Sequence, residues 1–141
     1  MAAEDAEAVL AMMRVFYASP ALLSNGSEAI YRRNVAACLA PDSGVEGWVF
    51  AAEAGLVGYA MTARSFSTEY GGPCLWIEDL YLMPEYRGHG LGAAMLRRIE
   101  ERNPDAVIFR LEVEAANRAN HFYTRSGFEV FPYVQMKKLR E

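Results

Sequence analysis

The chain has 141 residues, 52% hydrophobic and 23% charged, with a net charge of −4. That is enough for one domain with a real core, and too apolar for a disordered chain. The acidic balance weighs against a nucleic-acid partner and towards a cationic one, and no apolar run reaches the length of a membrane span.

From the start, residues 4–18 place Val9, Met13, Phe16 and Tyr17 on one face of a helix, with Asp5 and Glu7 near its positive end. Ser19-Pro20 ends it. No leader-like stretch precedes that helix, and the isolated, apolar-flanked Cys38 and Cys74 make a cytoplasmic chain the expectation. Ser24-Asn25-Gly26 is a turn, and Ser27 can cap a second helix to Ala40, with Ile30, Asn34, Ala37 and Cys38 on one face. Two strands follow at 47–53 and 56–65, joined at Ala54-Gly55 as a hairpin. Residues 66–73 form a polar loop.

Residues 74–83 are rich in β-formers, and Pro84 stops them. Gly88, Gly90 and Gly92 then open a helix whose Leu91, Met95, Leu96 and Ile99 face inward, with Arg97, Arg98, Glu100 and Glu101 outward. Asn103-Pro104-Asp105 is a break. A strand at 106–114, a short helix at 117–126 stopped by Gly127, and a last strand or pair of short strands at 128–139 complete the chain. The order ααβββαβαβ implies an α/β fold: one domain over 1–141, with a mixed, twisted sheet and helices on both faces. Cys38 and Cys74 are isolated and apolar-flanked, and pair with neither His89 nor His121, so reduced thiols and no metal are expected.

The glycines remove side chains where a helix begins, at unpartnered N–H groups and the positive end of the helix dipole. A phosphate can approach such a backbone, and Arg87 adds a full positive charge. A pyrophosphate cradle is the first reading. A P-loop fails, because no Lys-Ser or Lys-Thr pair follows. Gly88, Gly90 and Ala93 fit the dinucleotide pattern G-x-G-x-x-A, and Glu112 or Glu114 falls at the distance of a ribose-binding acid. Against that, Pro84 to Arg87 separate strand from glycine, and only 49 residues remain after Gly92. A ligand-free glycine turn is the remaining alternative.

Arg87-Gly88-His89-Gly90-Leu91-Gly92 matches R-x-x-G-x-G, and here the chain resembles the N-acetyltransferases of the GNAT superfamily. Residues 76–82 with Pro84-Glu85-Tyr86 look like that family's fourth strand, in the form of its diamine acetyltransferase-like branch. Ala119, Phe122-Tyr123 and Gly127-Phe128 resemble its fourth helix and the turn beyond. The likeness runs from about Val9 onward. It implies acetyl-CoA as co-substrate, bound by Arg87, Gly88, His89, Gly90, Leu91 and Gly92. Two departures stand out. The family's asparagine seven residues before the tyrosine is Ala116 here, leaving Asn117 as a helix cap and Asn120 as the cofactor-facing candidate. The family's opening strand has no counterpart before the first helix, so either it is missing or the chain continues upstream, and the edge of 47–53 is expected to be open.

Acetyl transfer to an amine needs a neutral amine, a stabilised oxyanion and a proton for the leaving thiolate. An alkyl ammonium has a pKa of about 10.4, so a base must deprotonate it. Glu78 is the first candidate; Asp79 is the second, or else holds a cationic substrate. In a regular strand the two face opposite sides, and both reach one site only if the strand bulges. The resemblance places the oxyanion at the backbone of Leu80, Tyr81 and Leu82, where the strand parts from its neighbour after Leu80. It also makes Tyr123 the acid; on position alone a core aromatic beside Phe122 is the other reading. His89 takes no catalytic role. The acceptor, expected to be a small primary amine of polyamine or amino-acid type, would be walled by Phe16, Tyr17 and Tyr31, each equally explained by packing. The alternatives are a non-catalytic acyl-CoA-binding sensor, or an acetyltransferase acting on protein N-termini or aminoglycosides, and exposed strand edges make a homodimer an expectation.

Overall fold

The computed structural model describes residues 1–140. Helices α1 (Ala6–Tyr17) and α2 (Glu28–Leu39) come first, then strands β1 (Val45–Ala52), β2 (Gly55–Ser67) and β3 (Gly72–Leu82). Helix α3 (Leu91–Glu101), strand β4 (Ile108–Leu111) and helix α4 (Ala119–Arg125) follow. The sheet has the order β1-β2-β3-β4, antiparallel across the first two pairs and parallel between β3 and β4, which α3 connects. The expected mixed α/β architecture is therefore present, and no helix among the described residues is long and apolar enough to cross a membrane.

Helices α1 and α2 cover one sheet face. Val9, Met12 and Met13 of α1, with Tyr31 and Val35 of α2, pack on Tyr59, Met61 and Tyr81. The other face carries Ile99 of α3 against Ala60 and Leu75, flanked by Trp48, Phe50, Leu80 and Phe109.

Three expectations need correction. Helix α2 is capped by Ser27, whose hydroxyl accepts from the Ile30 amide at 3.3 Å, but its buried row is Tyr31 and Val35, and Ile30 is exposed. The Ile30/Ala37 row and its Tyr31/Val35 neighbour are both apolar enough to face the core. Arg14 of α1, gripping Glu28 at 2.7 Å, and the Tyr31 hydroxyl on the Asn25 carbonyl set the rotation instead. Leu91, expected inward, is exposed at the tip of α3, a turn short of the core.

The third correction concerns the tail. Residues 128–139 form no strand: Val130, Val134, Met136 and Leu139 are almost fully exposed. Pro132 removes a ladder donor from the middle of this segment. Side chains hold it instead, with Phe131 under the Arg110 guanidinium at 4.8 Å and the Tyr133 hydroxyl donating to Glu69 at 3.1 Å.

At β1 the outer edge is capped rather than paired: the Met1 amino group donates to the Gly47 carbonyl at 3.0 Å. Cys38 packs so tightly on Gly47 that a Cβ there would lie 2.7 Å from the Cys38 Cβ.

One irregularity in β3 prepares the site. Register with β2 runs from Met61↔Asp79 to Thr62↔Ile77, which leaves Glu78 as an extra, unpaired residue. Pairing with β4 ends one position earlier, at Ile77↔Leu111. The strands therefore part after Ile77, three residues before the expected point at Leu80. A bulge bends its strand and ends pairing, which accounts for the shift.

Candidate active site

Where β3 and β4 part, an open cleft of about 650 Å³ forms between the sheet, α1 and the tail. Its walls include Tyr17, Trp76, Glu78, Asp79, Glu112 and Gln135, with Val45 and Met61 below. The bulge explains how two successive carboxylates reach one cleft: the extra residue brings Glu78 and Asp79 towards the same side. Of the acceptor-lining candidates, only Tyr17 lies on the cleft. Phe16 packs edge-on to Tyr59 at 6.3 Å within the core, and the buried Tyr31 holds the Asn25 carbonyl. Both are packing residues here.

Glu78 and Asp79 stand in different environments. Burial raises the Glu78 carboxyl above its ordinary range, and the charges of Glu112 and then Asp79 raise it further. Asp79 is only 4% exposed, with one oxygen accepting from the Tyr59 hydroxyl at 2.8 Å and the other from Tyr17 at 3.1 Å. Burial raises Asp79, while the two phenol bonds pull it down by less. Burial and the Asp79 charge raise both phenols, which therefore stay protonated donors. Asp79 thus holds Tyr17 in place on the cleft wall. Each Asp79 oxygen already accepts one phenol hydrogen bond, whereas Glu78 is the more exposed of the two carboxylates on the cleft.

The glycine loop lies beyond the end of β3. Gly88 and Gly90 have φ of 80° and 78°, and a Cβ on either would meet nothing within 4 Å. Such backbone favours glycine, and the space before it is open. The Ala94 amide closes the first turn of α3 on Gly90 at 3.1 Å, so the amides of Leu91, Gly92 and Ala93 precede the helical ladder. Arg87 leans over the Tyr81 ring at 5.6 Å, its Nε donating to the Leu82 carbonyl at 2.7 Å, while His89 is exposed. Leu80, Tyr81 and Leu82 pair with β2 on one side and face the gap on the other. Open positive-φ glycines, a helix N-terminus and a fixed guanidinium together fit a pyrophosphate.

Helix α4 meets this loop through a close approach. A Cβ on Gly92 would sit 3.2 Å from the Phe122 ring, so the third glycine makes room for α4. Tyr123 follows, packed on Phe122 and Phe128 with ring centroids 5.0 and 5.9 Å away. Burial pushes its hydroxyl up to about 12, keeping it protonated at neutral pH. It is not among the residues lining the cleft. Asn120 turns away from the expected cofactor contact: its amide nitrogen lies 2.8–3.0 Å from the carbonyls of Glu114, Ala115 and Asn117. It braces the loop before α4, while Asn117 accepts from the Ala119 amide at 2.9 Å, as a cap does.

Sequence reasoning missed Glu112, Trp76 and Gln135 on the cleft. Glu112 appeared only in a dinucleotide reading, and its position opposite Glu78 follows from strand register. No three His, Cys, Asp or Glu side chains among the described residues are placed to hold a metal. A smaller hollow of about 200 Å³ includes Arg64, which is engaged with Asp105 and Asn103.

Comparison with known proteins adds an independent line. The acetyltransferase (GNAT) family profile matches residues 11–128. Thialysine N-epsilon-acetyltransferase from Mus musculus is 37% identical over 60 residues, covering 41% of this chain and 35% of the relative. The Bos taurus protein of the same name is 39% identical over 46 residues, covering 33% and 26%. The match thus spans only a quarter to a third of those relatives. Among solved structures, an integron cassette protein from the mobile metagenome of Cole Harbour Salt Marsh superposes with a TM-score of 0.80 at 26% identity, covering 96% of this chain and 85% of the other. AAC(6')-Iy, in complex with the bisubstrate analog CoA-S-monomethyl-acetylneamine, superposes at 0.81 with 14% identity, covering 99% and 95%, a likeness of fold.

Proposed function

Because the chain belongs to the acetyltransferase (GNAT) family, we propose that it moves an acetyl group from acetyl-CoA to the primary amine of a small cationic molecule. The carrying observation is the bulge that presents Glu78 to the cleft where β3 and β4 part. Acetyl-CoA, when bound, supplies the activated acetyl thioester. The amides around Gly88–Gly92 and the Arg87 guanidinium would hold its pyrophosphate, and the free backbone amides along Leu80–Leu82 would supply donors for the oxyanion. Glu78 Oε takes the ammonium proton, directly or through one water, and the Tyr123 hydroxyl holds a proton for the departing sulfur. Tyr17, fixed by Asp79, shapes the acceptor side.

The acceptor is of polyamine or amino-acid type. Acidic side chains on the cleft and the likeness to relatives named for thialysine support that class. The reading is of a cytoplasmic enzyme, with a second copy able to pair at the β4 edge.

The test is thiol release from acetyl-CoA with diamines, lysine analogues, short peptides and aminoglycosides, beside cofactor binding by calorimetry. Turnover of small cationic amines is expected. Binding without turnover on any amine would make the protein a sensor, and a preference for peptides would overturn the small-cation class. Tyr123→Phe should lower kcat by about 10²–10⁴-fold with little change in KM. A rate within about threefold of the parent would leave Tyr123 a packing residue.

A further inference from the structure

We propose that Glu112 is a positioning residue for Glu78, its charge across the strand gap strengthening Glu78 as the base that deprotonates the acceptor. The geometry carries this. Ile77 and Leu111 are the last paired residues of two parallel strands, and Glu78 and Glu112 come next on each. Neighbouring strands lie about 4.8 Å apart, so the two carboxylates begin from facing positions where the backbones separate. Both then line the same cleft.

Among the described residues, none that lines the cleft carries a positive charge. From α1 comes Tyr17, which donates to Asp79; from the loop beyond it Leu22 and from α2 the neutral Asn34; from β1 and β2 Val45, Met61 and Ala63; and from the tail the neutral Gln135. Asp79 follows Glu78 on β3, but two phenols occupy its oxygens. Arg110 does not line the cleft, because its guanidinium is stacked between Trp76 at 5.7 Å and Phe131 at 4.8 Å. Glu112 is therefore the like charge that faces Glu78 from across the gap, consistent with its place ahead of Asp79 among the charges raising that carboxyl. A carboxylate of ordinary basicity, near 4.3, is a weak base towards an ammonium. A like charge raises its proton affinity.

The catalytic consequence rests on the acetyl-transfer reading, whereas the charge effect belongs to the chain itself, and the experiment separates them. Glutamate carboxyl carbons are ¹³C-labelled and followed by NMR from pH 3 to 9 in the parent and in Glu112→Gln, with Glu78→Gln identifying the Glu78 signal. The Glu78 midpoint should fall in Glu112→Gln. In kinetics the acid limb of kcat/KM should fall with it, neutral-pH kcat should drop several-fold, and Glu112→Asp should restore both. An unmoved Glu78 midpoint overturns the proposal whatever the turnover. A moved midpoint without turnover of any amine overturns the acetyl-transfer reading and leaves only the charge effect. A moved midpoint with an unmoved acid limb removes Glu112 from the chemistry.

Discussion

Asp79 is buried in the cleft wall, one carboxylate oxygen accepting from Tyr59 at 2.8 Å and the other from Tyr17 at 3.1 Å. A buried carboxylate is costly unless donors surround it, and these phenols are its recorded partners. Tyr59→Phe should therefore destabilise the protein by about 1.5–3 kcal/mol at pH 7, the range for a hydrogen bond to a charged group. The loss should be smaller at pH 4, where Asp79 approaches protonation and the bond becomes neutral. Urea unfolding at both pH values measures it. Equal losses would mean that Asp79 carries no charge at pH 7. Glu78, one residue earlier, has no such pair of phenols, and the two neighbours divide into a supporting carboxylate and an available one.

The loop from Arg87 to Gly92 and the two helices it joins act as one device. Gly88 and Gly90 turn the chain through positive φ, and Gly92 admits the Phe122 ring, bringing α4 and Tyr123 alongside the N-terminus of α3. Gly90→Leu puts a side chain at φ 78°, a strain of about 1–2 kcal/mol, but into open space. The variant should fold, melt a few degrees lower and bind CoA at least about tenfold more weakly. Calorimetry on the folded variant decides it: an unchanged CoA affinity would remove the cradle.

Across the whole molecule, the cleft makes stability depend on pH against the usual direction for carboxylates. Glu78 and Asp79 are raised above their ordinary values, so their contribution is fully present below those values and is lost as pH rises through the raised ones. Glu28 and Asp105 are lowered by Arg14 and Arg64 and act in the opposite sense, but they are exposed pairs of small worth. Glu78→Gln should accordingly be more stable than the parent at pH 7, with the gain vanishing below about pH 4. Thermal melts across that range test it, and a difference constant with pH would show that the gain is not electrostatic. On the alkaline side Cys38, pushed up to about 11 by burial, and the raised Tyr17 and Tyr59 lose stabilisation as pH climbs past the ordinary thiol and phenol range.

What the sequence determined by itself is what a few adjacent residues can encode. Ser27 caps α2, Pro84 stops β3, and the three glycines open α3, because caps, fixed φ and missing side chains act within a turn or two. The helix–strand order followed from those signals, and the mixed sheet from that order. The tertiary structure decided whatever depends on partners distant in the chain. Only pairing with β2 makes Glu78 the unpaired residue and turns Asp79 towards Tyr17 and Tyr59. Only the parallel register with β4 sets Glu112 opposite Glu78. The buried row of α2 was settled by α1, and the apolar alternation of the tail did not make a strand, because alternation states a preference while a ladder needs donors and an aligned neighbour.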